Sequence, residues 1–291
     1  MKRFGTLKGN KILFDVFFLA PGLVFFIYIV VIPFLQGIPY SFTDWNLVSP
    51  KYNFVGWRNY LEVITNTNGG NFMKYFGHTL VFTVLQTVFC NILGLIFALF
   101  VHKSSKFNSI VRVAFFLPFV LSALLSAYIW QDIYANIYGP LFNTISPLAM
   151  PQTALGGISF IAIWNCSGYC MVIFIAALQS IPQEYVEAAK IDGANSIQRF
   201  FNITLRMIVP AFTANVAILM SWGFKVFDIP MAATHGGPGF ATQTIAMYAY
   251  DNIFTYLKAG VGQASAVIMV IMLAVITLTV SKLIRSQEVE L

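Results

Sequence analysis

The sequence predicts an all-α membrane protein with six transmembrane helices and a helix-bend-helix element on its cytoplasmic side, and three observations carry that prediction. Of its 291 residues, 58% are hydrophobic and only 10% charged, a balance that ordinary water-soluble folds do not show. Six windows, 12–38, 79–101, 110–130, 157–178, 208–227 and 263–284, are each near the roughly 20 apolar residues that a bilayer requires. Between the fourth and fifth windows lies a polar, mixed-charge island at 180–206.

The net charge of +6 belongs to topology. Lys and Arg are scattered through short loops and form no basic face for a nucleic-acid duplex, so no nucleic-acid partner is expected. An N-terminus placed inside assigns Lys2, Arg3, Lys8, Lys11, Lys103, Lys106, Arg112, Lys190, Arg199, Arg206, Lys282 and Arg285 to the cytoplasm. Only Lys51, Arg58, Lys74 and Lys258 fall in outer loops, and Lys225 sits at the outer end of the fifth span. This bias predicts both termini and the 180–206 island inside. The chain divides into 1–70 (tail, first span and outer loop), a five-helix core at 71–285, and a tail at 286–291.

The first window follows basic residues but is too long for a signal-peptide core and has no Ala-x-Ala site after it, so it reads as an uncleaved span. After it, Tyr40–Leu47 and Phe54–Tyr60 form a loop rich in Tyr and Trp, the residues of membrane interfaces. The second span carries His78, Gln86 and Asn91, polar groups of the kind that join helices. In the third, Pro118 of Leu117-Pro118-Phe119 is expected to kink the helix.

The fourth span, with Trp164, Asn165, Cys166, Gly168 and Tyr169, mixes aromatic and polar side chains in the manner of a carbohydrate path, although each also suits ordinary membrane packing. All three cysteines lie in spans. Cys166 and Cys170 are one turn apart with no His or carboxylate beside them, so they are expected as buried thiols and no metal site is predicted. At the end of the fifth span Lys225 and Asp228 stand at i,i+3, a spacing at which they can neutralise each other. Residues 244–257 read as an aromatic interfacial helix.

The island reads as two short helices joined at Gly193. Ser180 is expected to cap the first, with Pro182 in its first turn. Gly193 suits a left-handed C′ position, and Asn195 or Ser196 can cap the second helix. Ile197, Phe200, Phe201, Thr204 and Ile208 recur on one face of that helix, and Ala188 and Ala189 leave room for close approach by another protein. Glu187 is placed to pair with Lys190 or with a basic group on a partner.

Glu187-Ala188-Ala189, Asp192-Gly193-Ala194, Phe200, Ile203 and Leu205 reproduce the EAA signature of ABC importer permeases. The chain resembles the six-span sugar permeases of the maltose-transporter type over nearly its whole length, most strongly over 160–242. One position departs: Arg206 stands where the signature has Pro, with Pro210 close by.

The resemblance implies a cell-membrane permease subunit of a bacterial or archaeal importer, not an enzyme. Its elbow would dock an ATPase, with ATP and Mg held on that partner and no cofactor in this chain. Implied partners are a second homologous permease, two ATPase subunits, an extracytoplasmic sugar-binding protein, the sugar and membrane lipid. By motif position it implies a substrate path at Phe119, Ala123, Asn165, Tyr169, Gly223 and Val226, and contact with the binding protein at Gly236, Gly237 and Pro238.

A secondary ion-coupled sugar carrier and a membrane enzyme are the competing classes. No phosphate-binding loop, HExxH or serine elbow occurs, nor do paired broken repeats, and the elbow favours the ABC permease. The expected solute is an oligosaccharide-type sugar, with a non-sugar solute such as glycerol phosphate as the alternative.

Overall fold

The computed structural model describes residues 16–49, 51–65 and 71–285. Lys2, Arg3, Lys8 and Lys11, the start of the first window and the 286–291 tail lie outside the described residues. In chain order the helices are α1 (Val16–Tyr40), α2 (Arg58–Thr65), α3 (Phe72–Val101), α4 (Lys106–Val120), α5 (Ala123–Phe142), α6 (Pro151–Ser180), α7 (Gln183–Ile191), α8 (Ser196–Met207), α9 (Val209–Phe224), α10 (Asp228–Thr234), α11 (Ile245–Tyr250) and α12 (Ala259–Arg285). Among the described residues there is one isolated antiparallel bridge, Thr43 to Phe54, and no strand. The all-α membrane architecture expected from the sequence is the one the chain adopts.

Four helices, α1, α3, α6 and α12, are long and apolar enough to cross a membrane. The pairs α4/α5 and α8/α9 pass the same test only together, bent by 99° and 57°, and six spans result if each bent pair counts as one. The third window is therefore broken near its middle, at 121–122, whereas the second bend falls at Ile208, the first residue of the fifth window, which α9 then follows unbroken.

The chain forms two compact units, Met1–Asn68 with Asp251–Val267, and Gly69–Tyr250 with Ile268–Leu291. In the first, the helical ladder of α1 loosens into a π turn at Ile27–Val31, just before Pro33, which has no N–H to donate. The aromatic loop packs on itself: Phe42 touches the rings of Phe54, Trp57 and Tyr60. Buried Asn59 donates to the carbonyls of Ser41 and Thr43 at 2.8 and 2.7 Å. The Asn53 backbone and side-chain N–H groups hold the exposed Asp44 carboxyl below its ordinary range. The Gly260 N–H donates to Trp45 O at 2.9 Å, and a Cβ on Gly260 would collide with Thr43 O, so only glycine lets α12 begin there.

In the second unit α3 and α6 form the spine. Where helices touch most closely the residue is glycine: Gly94 lies against Cys170, Gly168 against the Phe115 carbonyl, and Gly223 against Thr83. Without a hydrophobic driving force between helices in lipid, small residues let backbones approach and gain dispersion contact. Cys90, Cys166 and Cys170 are free and buried in the cluster that also holds Met171, Phe174 and Leu219.

Caps set the helix ends. Ser105 and Ser122 accept from the N–H groups of Asn108 and Leu125. Arg112, counted above only for its charge, donates to the carbonyls of Val101 and His102 at 2.7 and 3.0 Å, closing the C-terminus of α3.

The expected interfacial helix is corrected. Its first part, α11, buries Ile245, Met247 and Tyr248 and packs on α3, with the Ile245 N–H bonded to Thr79 Oγ1 at 3.1 Å. The polar Thr79 anchors what aromatic composition alone left at a surface.

Candidate functional site

A cavity of about 310 Å³ opens where α3, α4/α5, α6 and the α9–α10 junction converge, with Phe119 and Ala123 lining it from either side of the break at residues 121–122. Pro118 stays within α4, and the turn falls three residues later at Leu121, whose backbone is extended. Asn165 of α6 spans the break. Its Nδ2 donates to Pro118 O at 2.7 Å, to Ser126 Oγ at 2.9 Å and, more weakly, to Leu121 O at 3.4 Å.

Asn165 borders the cavity, but its donors are directed to the broken backbone. Replacement by Leu leaves those carbonyls without their donor, and a buried unsatisfied carbonyl costs about 1–3 kcal/mol. The expected outcome is a melting temperature several degrees lower in detergent. Unchanged melting with reduced uptake would make Asn165 a solute ligand instead.

Of the six path residues expected from the sequence, Phe119, Ala123, Asn165 and Val226 line the cavity. Tyr169 stands beside it in an aromatic wall: its ring lies 5.0 Å from Phe119 and 5.3 Å from Trp222, and Trp222 stacks on Phe119 at 6.0 Å. Gly223 is corrected: it is buried against Thr83 of α3, and its neighbour Trp222 faces the cavity in its place. Trp222, which the sequence reading did not single out, lines the cavity. Its signal was the aromatic residue next to the motif position, one residue round the helix.

The expected neutralisation of Lys225 by Asp228 is also corrected. Among the described residues no ion pair joins them, because α9 ends at Phe224 and α10 starts at Asp228, so the i,i+3 spacing does not fall within one helix. Lys225 caps the negative end of α9 and Asp228 occupies the first turn of α10, each favourable to its own helix dipole. Both line the cavity.

At the far end of α6 the elbow forms as expected at its centre and differently at its start. Ser180 is the last residue of α6, donating to Ala177 O at 2.8 Å, and Pro182 precedes α7 rather than entering its first turn. Gly193 has φ +79°. The Ala194 N–H reaches Ala189 O at 2.9 Å and the Gly193 N–H reaches Lys190 O at 3.1 Å, a Schellman closure of α7. Asn195 then caps α8 in a reciprocal pair with Gln198, at 2.9 and 2.8 Å.

Glu187, Ala188, Asp192 and Gly193 are exposed, and no ion pair joins Glu187 to Lys190 among the described residues. Ala189, Ala194, Phe200, Ile203 and Leu205 are half-buried, with Leu205 packed against the core. Tyr185, Ile191, Ile197 and Phe201 are all more than half exposed, an apolar patch around the bend. The 57° bend at Ile208 is followed by Pro210 in the first turn of α9; Arg206 is exposed.

On the α10 side, Gly236 has φ +81° and is buried against Gln243, while Gly237 and Pro238 are half-buried. Thr242 Oγ1 donates to Gly237 O at 2.9 Å. The exposed part of this turn is His235, Gly239 and Phe240.

A helical membrane protein with a cavity beside a broken span and an exposed elbow carries transport architecture. The chain belongs to the family of binding-protein-dependent transport system inner membrane components, whose pattern it matches over residues 90–288. It is 37% identical, over 94% of both chains, to the probable starch degradation products transport system permease protein AmyD of Thermoanaerobacterium thermosulfurigenes. It is 32% identical, over 88% of this chain and 90% of the relative, to the multiple sugar-binding transport system permease protein MsmF of Streptococcus mutans. In fold it is similar to a chain of a bacterial ABC transporter involved in the import of the acidic polysaccharide alginate, with TM-score 0.80, 19% identity, and coverage of 98% of this chain and 99% of that one.

Proposed function

We propose that this chain is the permease subunit of an ATP-driven importer of oligosaccharide-type sugars, forming half of the translocation path. The observation that carries the solute class is the wall of Phe119, Tyr169 and Trp222 beside the cavity. Flat rings stack on the C–H faces of a pyranose, and Gln86, Lys225 and Asp228 offer polar groups for its hydroxyls. The sugar-transport names of its relatives agree with this chemistry.

The second permease, two ATPase subunits with their ATP and Mg, and an extracytoplasmic binding protein complete the assembly. The ATPase docks on the apolar patch around Gly193, and the binding protein meets the turn at Gly236, Gly237 and Pro238 through its exposed residues. The reading is tested by co-expressing the chain with its partners and measuring uptake into proteoliposomes. Labelled malto-oligosaccharide should enter only with internal ATP and the binding protein. Uptake driven by an ion gradient would identify a secondary carrier, and preference for glycerol phosphate would overturn the solute class.

Orientation follows from the charge bias: both termini and the elbow lie in the cytoplasm of a bacterial or archaeal cell, with the aromatic loop outside. An impermeant thiol reagent applied to intact cells should label cysteines placed at Ser49 and Gly239 and spare one at Ser196. Labelling at 196 would invert the topology.

A further inference from the structure

A polar seam runs through the α3, α9 and α12 contact, and Gln86 at its edge also lines the cavity. Gln86, Thr87 and Asn91 on α3 and Asn215 on α9 are 4%, 9%, 2% and 0% exposed. Gln86 Oε1, Thr87 Oγ1, Asn91 Oδ1 and both polar atoms of the Asn215 amide have no hydrogen-bond partner, nor do the hydroxyls of Thr277 and Ser281 on α12. A hydroxyl in a helix ordinarily bonds the carbonyl four residues back, as Thr79, Thr83 and Thr279 do here at 2.7–2.8 Å. Thr87, Thr277 and Ser281 do not.

Register brings the amides to one level. Gly223 lies against Thr83, and Phe224 meets Phe76, while farther along Leu219 and Ile208 join the cluster of Cys90, Ala98 and Val101, so α3 and α9 run antiparallel. From Thr83 to Asn91 and from Gly223 back to Asn215 are equal steps, each about 12 Å along its helix at 1.5 Å per residue. Thr277 and Ser281 each follow a residue of α12, Ile276 and Val280, that packs with Val216, Met220 and Phe224 of α9.

Buried polar groups are paired in folded proteins, and seven unpaired atoms gathered on three touching helices demand a common ligand. That ligand must both donate and accept, since Asn215 Nδ2 is a donor and the amide oxygens are acceptors. A cation satisfies only the acceptors, and no carboxylate is among the six residues. We infer that Gln86, Thr87, Asn91, Asn215, Thr277 and Ser281 bind a cluster of buried water, making this contact a hydrated seam. Water-mediated contacts re-form at a new register more readily than interlocked side chains. On the transport reading above, α9, which leads from the elbow to the cavity, thereby lies on a bed across which it can shift; the hydration itself does not rest on that reading.

The test is X-ray hydroxyl-radical footprinting of the full-length protein in lipid nanodiscs. Radicals formed from bound water oxidise adjacent side chains that bulk solvent does not reach. Cys90 and Leu219, both 0% exposed, should be oxidised on the millisecond scale alongside the exposed control Met73, and the Cys90 and Leu219 signals should be lost in Asn91→Leu/Asn215→Leu. Should the double variant fail to assemble, Asn215→Leu alone must diminish the Leu219 signal. Wild-type protein with Met73 oxidised and Cys90 and Leu219 untouched has a dry seam, and signals unchanged by the substitutions place the water elsewhere; either result overturns the inference.

Discussion

Gly193→Val is expected to leave the membrane helices inserted and to abolish binding-protein-stimulated ATP hydrolysis. Insertion depends on apolar length, which this loop does not supply. The loop supplies direction: Gly193 at φ +79° turns α7 back through the Ala194–Ala189 and Gly193–Lys190 hydrogen bonds, and Asn195 restarts the chain as α8. A Cβ on Gly193 would meet nothing within 4 Å, so the penalty is conformational: a β-branched residue costs about 1–2 kcal/mol in the left-handed region. Relief requires a change of φ, which opens the Schellman closure and re-aims Glu187, Ala188 and the exposed Ile191 and Ile197. The measurement is co-purification of the ATPase with the variant, then hydrolysis in nanodiscs with and without sugar-loaded binding protein. Full recovery of the complex with normal stimulation would remove the elbow from the coupling role. Glu187→Ala separates the two surfaces: with no ion pair to Lys190 to lose, it should leave folding unchanged and weaken the ATPase complex.

Trp222→Ala should lower uptake at subsaturating sugar by roughly 10- to 100-fold, corresponding to the about 1.5–3 kcal/mol that a buried aromatic contact contributes. Trp222 stacks on Phe119 and touches Tyr169, so its loss removes the middle of the wall. Tyr169→Ala should act in the same direction and less strongly, because Phe119 and Trp222 still face each other. Trp222→Phe preserves a flat ring and should retain most transport. Basal ATPase activity and complex yield serve as controls, since Trp222 is more than one-third exposed and is not a core residue. Equal uptake by wild type and Trp222→Ala at low sugar would mean that the solute does not pass this wall.

The site was legible in uneven measure. The centre of the elbow could be read because its devices are local, a glycine for positive φ and a polar cap at Asn195 or Ser196; the reciprocal bond from Gln198 to Asn195 came only with the structure. The elbow's first turn was misplaced, since α6 runs on through Ser180 and removes that residue from capping duty. The cavity was legible only in outline. Motif position indicated the right segment of α9 but Gly223 instead of Trp222, because helix rotation is set by the close approach of Gly223 to Thr83, a contact between distant parts of the chain.

By itself the sequence determined that this protein is helical and membrane-spanning, where its apolar windows lie and where the chain reverses at Gly193, because apolar length, capping and the sign of φ act over one or two helical turns. Tertiary structure alone decided that the third window breaks by 99° at Leu121, with Asn165 bridging 47 residues to hold it, and that Lys225 and Asp228 part at the end of α9. It also decided that Asp251–Val267 packs with the N-terminal unit. Each of these depends on which backbone groups a distant helix can reach, and that distance is fixed only when the helices have packed.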